Sequence, residues 1–424
     1  MGVSQLKYET RDAADAGGQS LPPGFSLDGL APAFRLACAC CMWPASERRN
    51  AQVQASAQGV DWARFMTVLV RQRVVGQARD ALRSAGVALP AELDSRLAEI
   101  GRASAARNLA LAAEAVRLRR LLDAERAPAL FIKGAPLAQL AYGGQGLKSA
   151  RDIDLLIAPA DVERVFGLLR REGYVLAAPH GELDPAQMQL VLRLHKDLEL
   201  VDRARGVNLE LHWRLIDNPA LLGDVGVASP TQEVPVLDGS LVTLGDAELF
   251  AYLCVHGASH CWFRLKWLAD LNAWLASKSD EEIAGFYRRA EQLGVEACAG
   301  QALRLCNRLL GLALPAALAP PLARRKLDLL VAMALDAMAG ADGEVELARR
   351  RFGPFRTLPA QFLRGRGLKF LLAQCRLMVE NLDDMLMYPL PRGLHFLYPL
   401  LRFPLWLLRV SRRRKALRAQ GAGA

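Results

Sequence analysis

At 424 residues the chain is too long for one ordinary hydrophobic core, so two or three domains are expected. A composition of 52% hydrophobic and 23% charged residues excludes a disordered chain. The net charge of +10 is uneven: Met385 to Ala424 carries eight Arg/Lys and no Asp or Glu, which leaves about +2 elsewhere, so only this tail argues for an anionic partner.

Residues 1–25 are polar, contain Gly and Pro, and read as a loose leader without the basic-then-apolar pattern of a secretory signal. Residues 26–125 read as helical. Apolar residues recur at helical spacing from Trp62 to Arg83 and from Ala103 to Leu122; Pro90 separates the two groups, with a helix start near Asp94 or Ser95. Residues 126–216 change character. A buried strand is predicted at 129–133, a helix at 136–142, a strand at 152–157, a helix at 161–172 and a strand opening at 173–176. The runs 195–201 and 207–213 then form a hairpin. Residues 217–244 form a connector with one strand-like piece at 234–237. Helices are expected at 246–258, 260–276, 280–294, 296–311, 322–340 and 366–385, making 245–390 a C-terminal helical domain, and residues 391–424 form a basic apolar tail. The class is α+β: a mixed sheet with helices, between N-terminal helices and a C-terminal helical bundle. The eight Cys are scattered or crowded among apolar neighbours and read as buried reduced thiols of a cytoplasmic protein; Cys38 and Cys41 form a CxxC without the second pair that would complete a zinc site.

The stretch 130–157 carries the chemistry. Its apolar run ends in Lys133-Gly134, a Gly that opens a helix and offers free N–H groups to a phosphate. Asp152 and Asp154 follow in one strand, projecting to the same side, as a hard-oxygen pair suited to Mg²⁺ or Mn²⁺. In the hairpin, Val207, Leu209, Leu211 and Trp213 share one face, while Asn208, Glu210, His212 and Arg214 share the other. Glu210 is therefore the candidate third carboxylate, with Glu199 a weaker one. Lys133 has two readings: a point charge for a phosphate, or an ion-pair partner of Asp152 or Asp154. His256 and His260, four apart on a helix, could hold zinc but have no evident third ligand. Arg264 and Lys266 are candidates to reach a triphosphate.

Lys133-Gly134, a helix, Asp152-x-Asp154 and a later strand acid together resemble the DNA polymerase β-type nucleotidyltransferase superfamily. The segment Arg151-x-x-x-Leu155, Glu210-Leu-His212-Trp213 and His256-Gly-x-x-His260-x-Trp262-x-Arg264-Leu-Lys266-Trp267-Leu-x-Asp270 are similar, more closely, to a bacterial nucleotidyltransferase-like family of undefined substrate. There Lys-Gly stands where most of the superfamily carries Gly-Gly or Gly-Ser. The resemblance spans roughly residues 35–400. It implies Mg²⁺- or Mn²⁺-dependent transfer of a nucleoside monophosphate from NTP to a hydroxyl of a small molecule or protein, with Asp152, Asp154 and Glu210 holding the metal and Lys133, Gly134, Arg151, His212, Arg264 and Lys266 near the nucleotide. A non-catalytic or antitoxin-like nucleotide-binding module, or a membrane-associated accessory protein in polysaccharide or peptide tailoring, stands as the alternative.

The tail sequence GLHFLYPLLRFPLWLLRVSRRRKALR (residues 393–418) joins apolar residues to a basic cluster. Pro399, Arg402 and Pro404 argue against a spanning helix. Two readings stand: a peripheral segment on an anionic membrane surface, or an apolar segment packed on the bundle with solvated charges. Nucleic acid is the lesser alternative.

Overall fold

A computed structural model describes residues 29–177, 182–350, 357–401, 404, 405 and 408. The leader and the basic cluster at 412–415 lie outside these residues. The N-terminal helices are α1 (Pro32–Cys40), α2 (Glu47–Ala57), α3 (Trp62–Gln72), α4 (Val75–Ser84) and α5 (Ala91–Ala124). Asp61 starts α3 by accepting from the amides of Ala63 and Arg64, and α3 ends where Arg73 turns left-handed at φ 59°. That turn splits the helical pattern read as continuous from Trp62 to Arg83. The 34-residue α5 starts earlier than expected, directly after Pro90, which occupies the N-cap and so removes no helical hydrogen bond.

The middle of the chain forms β1 (Ala129–Phe131), α6 (Gly134–Tyr142), β2 (Ile153–Ile157), α7 (Val162–Arg171), β3 (Val175–Leu176), α8 (Pro185–Leu194), β4 (Asp197–Asp202) and β5 (Val207–His212). The five strands lie in the order β1-β2-β5-β4-β3; β2 and β5 are parallel and every other neighbour is antiparallel. The expected mixed sheet is thus present. Its apolar face, with Ile153, Leu155, Leu209 and Leu211, packs against the second half of α5 and against α7. Each such side chain, fully buried, contributes roughly 1.5–3 kcal/mol. The opposite face carries Asp154, Glu210 and His212.

The connector holds a full hairpin, β6 (Thr231–Val236) and β7 (Gly239–Leu244), where one strand was expected. Pro235 and the Gly-Ser start of β7 weaken the strand signal, and the turn uses Leu237 at φ 54°.

The second helical region comprises α9 (Asp246–Ser259), α10 (Leu265–Leu275), α11 (Asp280–Gln292), α12 (Glu296–Leu310), α13 (Ala319–Leu322), α14 (Arg325–Ala339), α15 (Leu358–Leu363), α16 (Gly367–Val379) and α17 (Leu382–Met387). Helices α1 to α4 and α9 to α14 share one apolar cluster. The expected helix 260–276 begins only at Leu265, because Cys261 and Trp262 adopt φ of 48° and 49° and form a turn. A Cβ on Gly257 would lie 2.4 Å from the Trp262 indole, so the ring seats directly on α9. Its Nε1 donates to Gln301 Oε1 at 3.3 Å. This packing accounts for Gly257 and Trp262 in the His-Gly-x-x-His-x-Trp pattern.

Candidate functional site

The site begins where β1 stops. Lys133 is extended, and Gly134 adopts φ +62° as it opens α6, a conformation costly for any residue with a side chain. Strand register then assembles the floor. Asp154 pairs with Glu210 across β2 and β5, Glu210 with Glu199 across β5 and β4, and His212 with Asp197. The strand β2 starts at Ile153, so Asp152 sits on the bend before it rather than within it.

Asp154 is buried and its Oδ1 lies 2.6 Å from Lys133 Nζ. His212 Nε2 is 3.1 Å from Glu210 Oε2 and 3.4 Å from Asp154 Oδ1, and its Nδ1 is 3.5 Å from Asp197. Burial works against the Asp154 charge, but Lys133 and His212 outweigh it and hold the carboxyl well below the usual range. The Lys133 ammonium is likewise buried, yet Asp154, Tyr252 and Glu210 keep it well above its ordinary value. Asp152 is pushed up, by burial first and by the Asp154 charge second. Two neighbouring carboxyls are thus driven in opposite directions. His212, despite burial, is raised by its bonds to Asp154 and Glu210.

Ligand atoms of Asp154, Glu210 and His212 all lie within 4.8 Å of one another. The two carboxylates suit Mg²⁺ or Mn²⁺, whereas the imidazole among them favours a transition-metal ion over Mg²⁺. Asp152 is outside this group of three but lines the same cleft.

The cleft above this floor has a volume of about 710 Å³. The same cleft is lined by a cationic group of Arg73, Lys148 and Lys266, with Lys266 and Arg73 near Asp152. Lys148 pairs with buried Asp270, which also accepts from Tyr142 Oη at 3.0 Å. Lys266 Nζ donates to the Ser149 carbonyl at 2.9 Å. Burial and then Lys148 bring the Lys266 ammonium down to about 7. Asn108 on α5 fixes the Gly-rich loop, donating to the Gln145 carbonyl at 2.8 Å and accepting from the Ala150 amide at 3.2 Å. Tyr252, His256, His260 and Trp267 form a third side. His260 stacks on Trp267 with ring centroids 5.1 Å apart. Burial, followed by Lys133, keeps both imidazoles neutral at pH 7, with His260 lowered to about 4. A last side is built from α15 to α17, with Gln361, Arg364, Gln374, Leu377, Met378 and Leu382.

The structure therefore gathers Lys133, Gly134, Asp152, Asp154, Glu210, His212 and Lys266 around one cleft. It does not bring Arg151 or Arg264 there. Arg151 is exposed. Arg264 pairs with Glu346 at 2.7 Å and donates to the Arg71 carbonyl, because the turn at Cys261 and Trp262 places it at the N-cap of α10 rather than along a helix facing the cleft. Sequence reasoning missed Arg73 and Lys148. The nearest signal for Lys148 was its place in the loop just before the paired aspartates.

The chain matches the family model described as an uncharacterised nucleotidyltransferase over residues 58–311, more than half of its length. It belongs to that family. Its family is one of transferases of phosphorus-containing groups, which implies a nucleotide substrate. The matched span of this nucleotidyltransferase runs from just before α3 to the end of α12 and holds the acidic floor and the cationic wall. The side of the cleft formed by α15 to α17 lies beyond it. No curated protein matches the chain. Among the described residues, no helix is long and apolar enough to cross a membrane.

Proposed function

We propose that the protein transfers a nucleoside monophosphate from NTP to a hydroxyl acceptor in the manner of polymerase β-type nucleotidyltransferases. The observation that carries this is the register pairing of Asp154 with Glu210 beside His212, in one cleft with Arg73, Lys148 and Lys266. Asp154, Glu210 and His212 would hold Mg²⁺ or Mn²⁺, with Asp152 beside them; when bound, the ion neutralises phosphate charge and aligns the reacting oxygens. Lys148, Lys266 and Arg73 would hold the phosphates, and the Gly134 turn presents the N-terminal amides of α6. Glu210, part-exposed to the cleft, would take the proton of the acceptor hydroxyl, since Asp154 is tied to Lys133; Asp152 is the other carboxylate in reach of the cleft. The acceptor oxygen then bonds to the α-phosphorus as the bond to the bridging oxygen breaks, and pyrophosphate leaves with both of its electrons.

The ion pair between Lys133 and Asp154 favours a second reading, in which Lys133 neutralises the site and the protein binds nucleotide without turnover. Pyrophosphate release measured with each NTP, with Mg²⁺ or Mn²⁺ and a panel of hydroxyl acceptors, separates the two. Release that requires the divalent ion supports transfer; saturable NTP binding with no release under any combination supports the binding module.

A further inference from the structure

Helix α16 carries an apolar stripe on its outer side. Leu368 is 70% exposed and Leu372 61%, with Leu371, Cys375 and Met378 continuing the line at helical spacing. The inner side is different: Phe370 is buried in the helical core, and Gln374 accepts from Asn218 at 3.1 Å and from Arg364 at 3.2 Å. The sequence of α16, GLKFLLAQCRLMV, includes Lys369 and Arg376 and no acid; Arg376 pairs with Glu380, the C-cap of the helix, at 2.8 Å.

The C-terminal segment after α17 is built the same way. Tyr398 and Leu405 pack with Met385 against Leu190 and Leu194 of α8. The Tyr398 hydroxyl accepts from the Leu390 amide at 2.9 Å and donates to the Tyr388 carbonyl at 2.8 Å, which fixes the segment's inner face. Its other face is left outside, with Phe396 68% and Leu400 74% exposed and Leu394 and Leu408 beside them. One side of the segment thus packs on the protein, as one of the two sequence readings expected, and the other side leaves apolar side chains exposed.

We propose that the outer faces of α16 and of the C-terminal segment form a docking surface for an anionic lipid bilayer. The charge pattern selects this occupant. From Met385 to the end of the chain there are eight basic residues and no acid, a composition that attracts anionic headgroups and repels a second copy of itself. The exposed side chains are mainly aliphatic, suited to the acyl boundary, whereas a single-stranded nucleic acid is gripped by aromatic stacking. The segment is assigned to the surface of the bilayer, since among the described residues no helix is long and apolar enough to cross a membrane. Met378 of the stripe and Leu194 of the packing site both also line the cleft, so the docking surface borders the cleft mouth. This surface stands independently of the proposed nucleotidyl transfer.

The test uses the full chain in co-sedimentation with phosphatidylcholine vesicles, with and without phosphatidylglycerol. Binding is expected with the anionic vesicles, weakening as salt rises. The variant Leu368→Ser, Leu372→Ser, Phe396→Ser, Leu400→Ser should bind at least about tenfold more weakly while keeping its melting temperature, since all four side chains are exposed. A second variant, Arg412→Gln, Arg413→Gln, Arg414→Gln, Lys415→Gln, should lose the preference for phosphatidylglycerol. Unchanged binding by the serine variant, or equal binding of the wild-type chain to neutral and anionic vesicles, overturns the proposal. So does failure to bind either vesicle together with concentration-dependent dimerisation, or with oligonucleotide binding, that the substitutions abolish.

Discussion

The two walls of the cleft were assembled in different ways. The acidic floor comes from three adjacent strands, and hydrogen-bond register alone sets Asp154 beside Glu210 and Glu199. The cationic wall comes from the end of α3, the loop after α6 and the start of α10, and its members meet only through packing. A strand-borne group is fixed by its own backbone ladder; Lys148 and Lys266 are fixed by partners, the Asp270 carboxylate and the Ser149 carbonyl. The floor's geometry should therefore survive substitution, whereas loss of a partner in the wall should displace its side chains; in both, removing one member of a buried ion pair costs stability.

The sharpest break of that contrast is Asp152→Asn with Asp154→Asn. Pyrophosphate release should fall by about 10³-fold or more, a loss on the scale of removing well-placed electrostatic groups. The fold should persist but the melting temperature should fall, because Asp154→Asn leaves the buried Lys133 ammonium without its carboxylate partner. Activity near that of the wild type would remove the aspartates from the mechanism. Next in size is Lys148→Met, which leaves Asp270 buried without its ammonium; urea unfolding should show a loss of roughly 3–5 kcal/mol. A loss within experimental error would mean that the wall is not held by this pair.

Lys266→Met should weaken NTP binding about tenfold below pH 7 and much less above it. Lys266 faces Lys148, Arg73, Asp270 and Asp152, and with its ammonium lowered to about 7 it is charged on the acid side and neutral on the alkaline side. Wild-type affinity should thus decline as pH rises through 7, relative to a flatter Met variant. The stability effect has the opposite sense. The folded value lies below that of the unfolded chain, so between about pH 7 and 10.5 the unfolded state binds more protons and stability rises with pH. Lys266→Met should accordingly raise the melting temperature more at acid than at alkaline pH. The smallest effect is expected from Arg264→Ala. Losing a partly exposed pair with Glu346 should cost about 0.5–1 kcal/mol and leave NTP affinity unchanged. A clear drop in affinity would return Arg264 to the site.

The period of two residues made the floor legible in the sequence. It predicted that Glu210 and His212 share a side opposite Leu209 and Leu211, and β5 has that arrangement. The hairpin of β4 and β5 was legible for the same reason. Arg73 was not, because its position depends on a left-handed turn with no glycine to announce it. The turn at Cys261 and Trp262 was hidden likewise, which is why Arg264 looked like a cleft residue; His256 and His260 do lie side by side at the end of α9, as their spacing predicted. Hairpin β6–β7 was half seen, since Pro235 and Gly239 dilute its strand signal. The Lys133 ion pair with Asp154 was foreseen as one of two readings, since geometry alone could choose between them.

The row formed by Asp154, Glu210 and Glu199 also has a thermodynamic consequence. Like charges placed opposite one another across a sheet oppose its formation. Any cation that binds this row in the native state, and not in the unfolded chain, is linked to folding by mass action. Such a ligand at about a hundred times its dissociation constant adds roughly 2.7 kcal/mol to the unfolding free energy. Thermal melting thus becomes a titration of the site itself, one in which ions, nucleotides and acceptors can be ranked before any product has been identified.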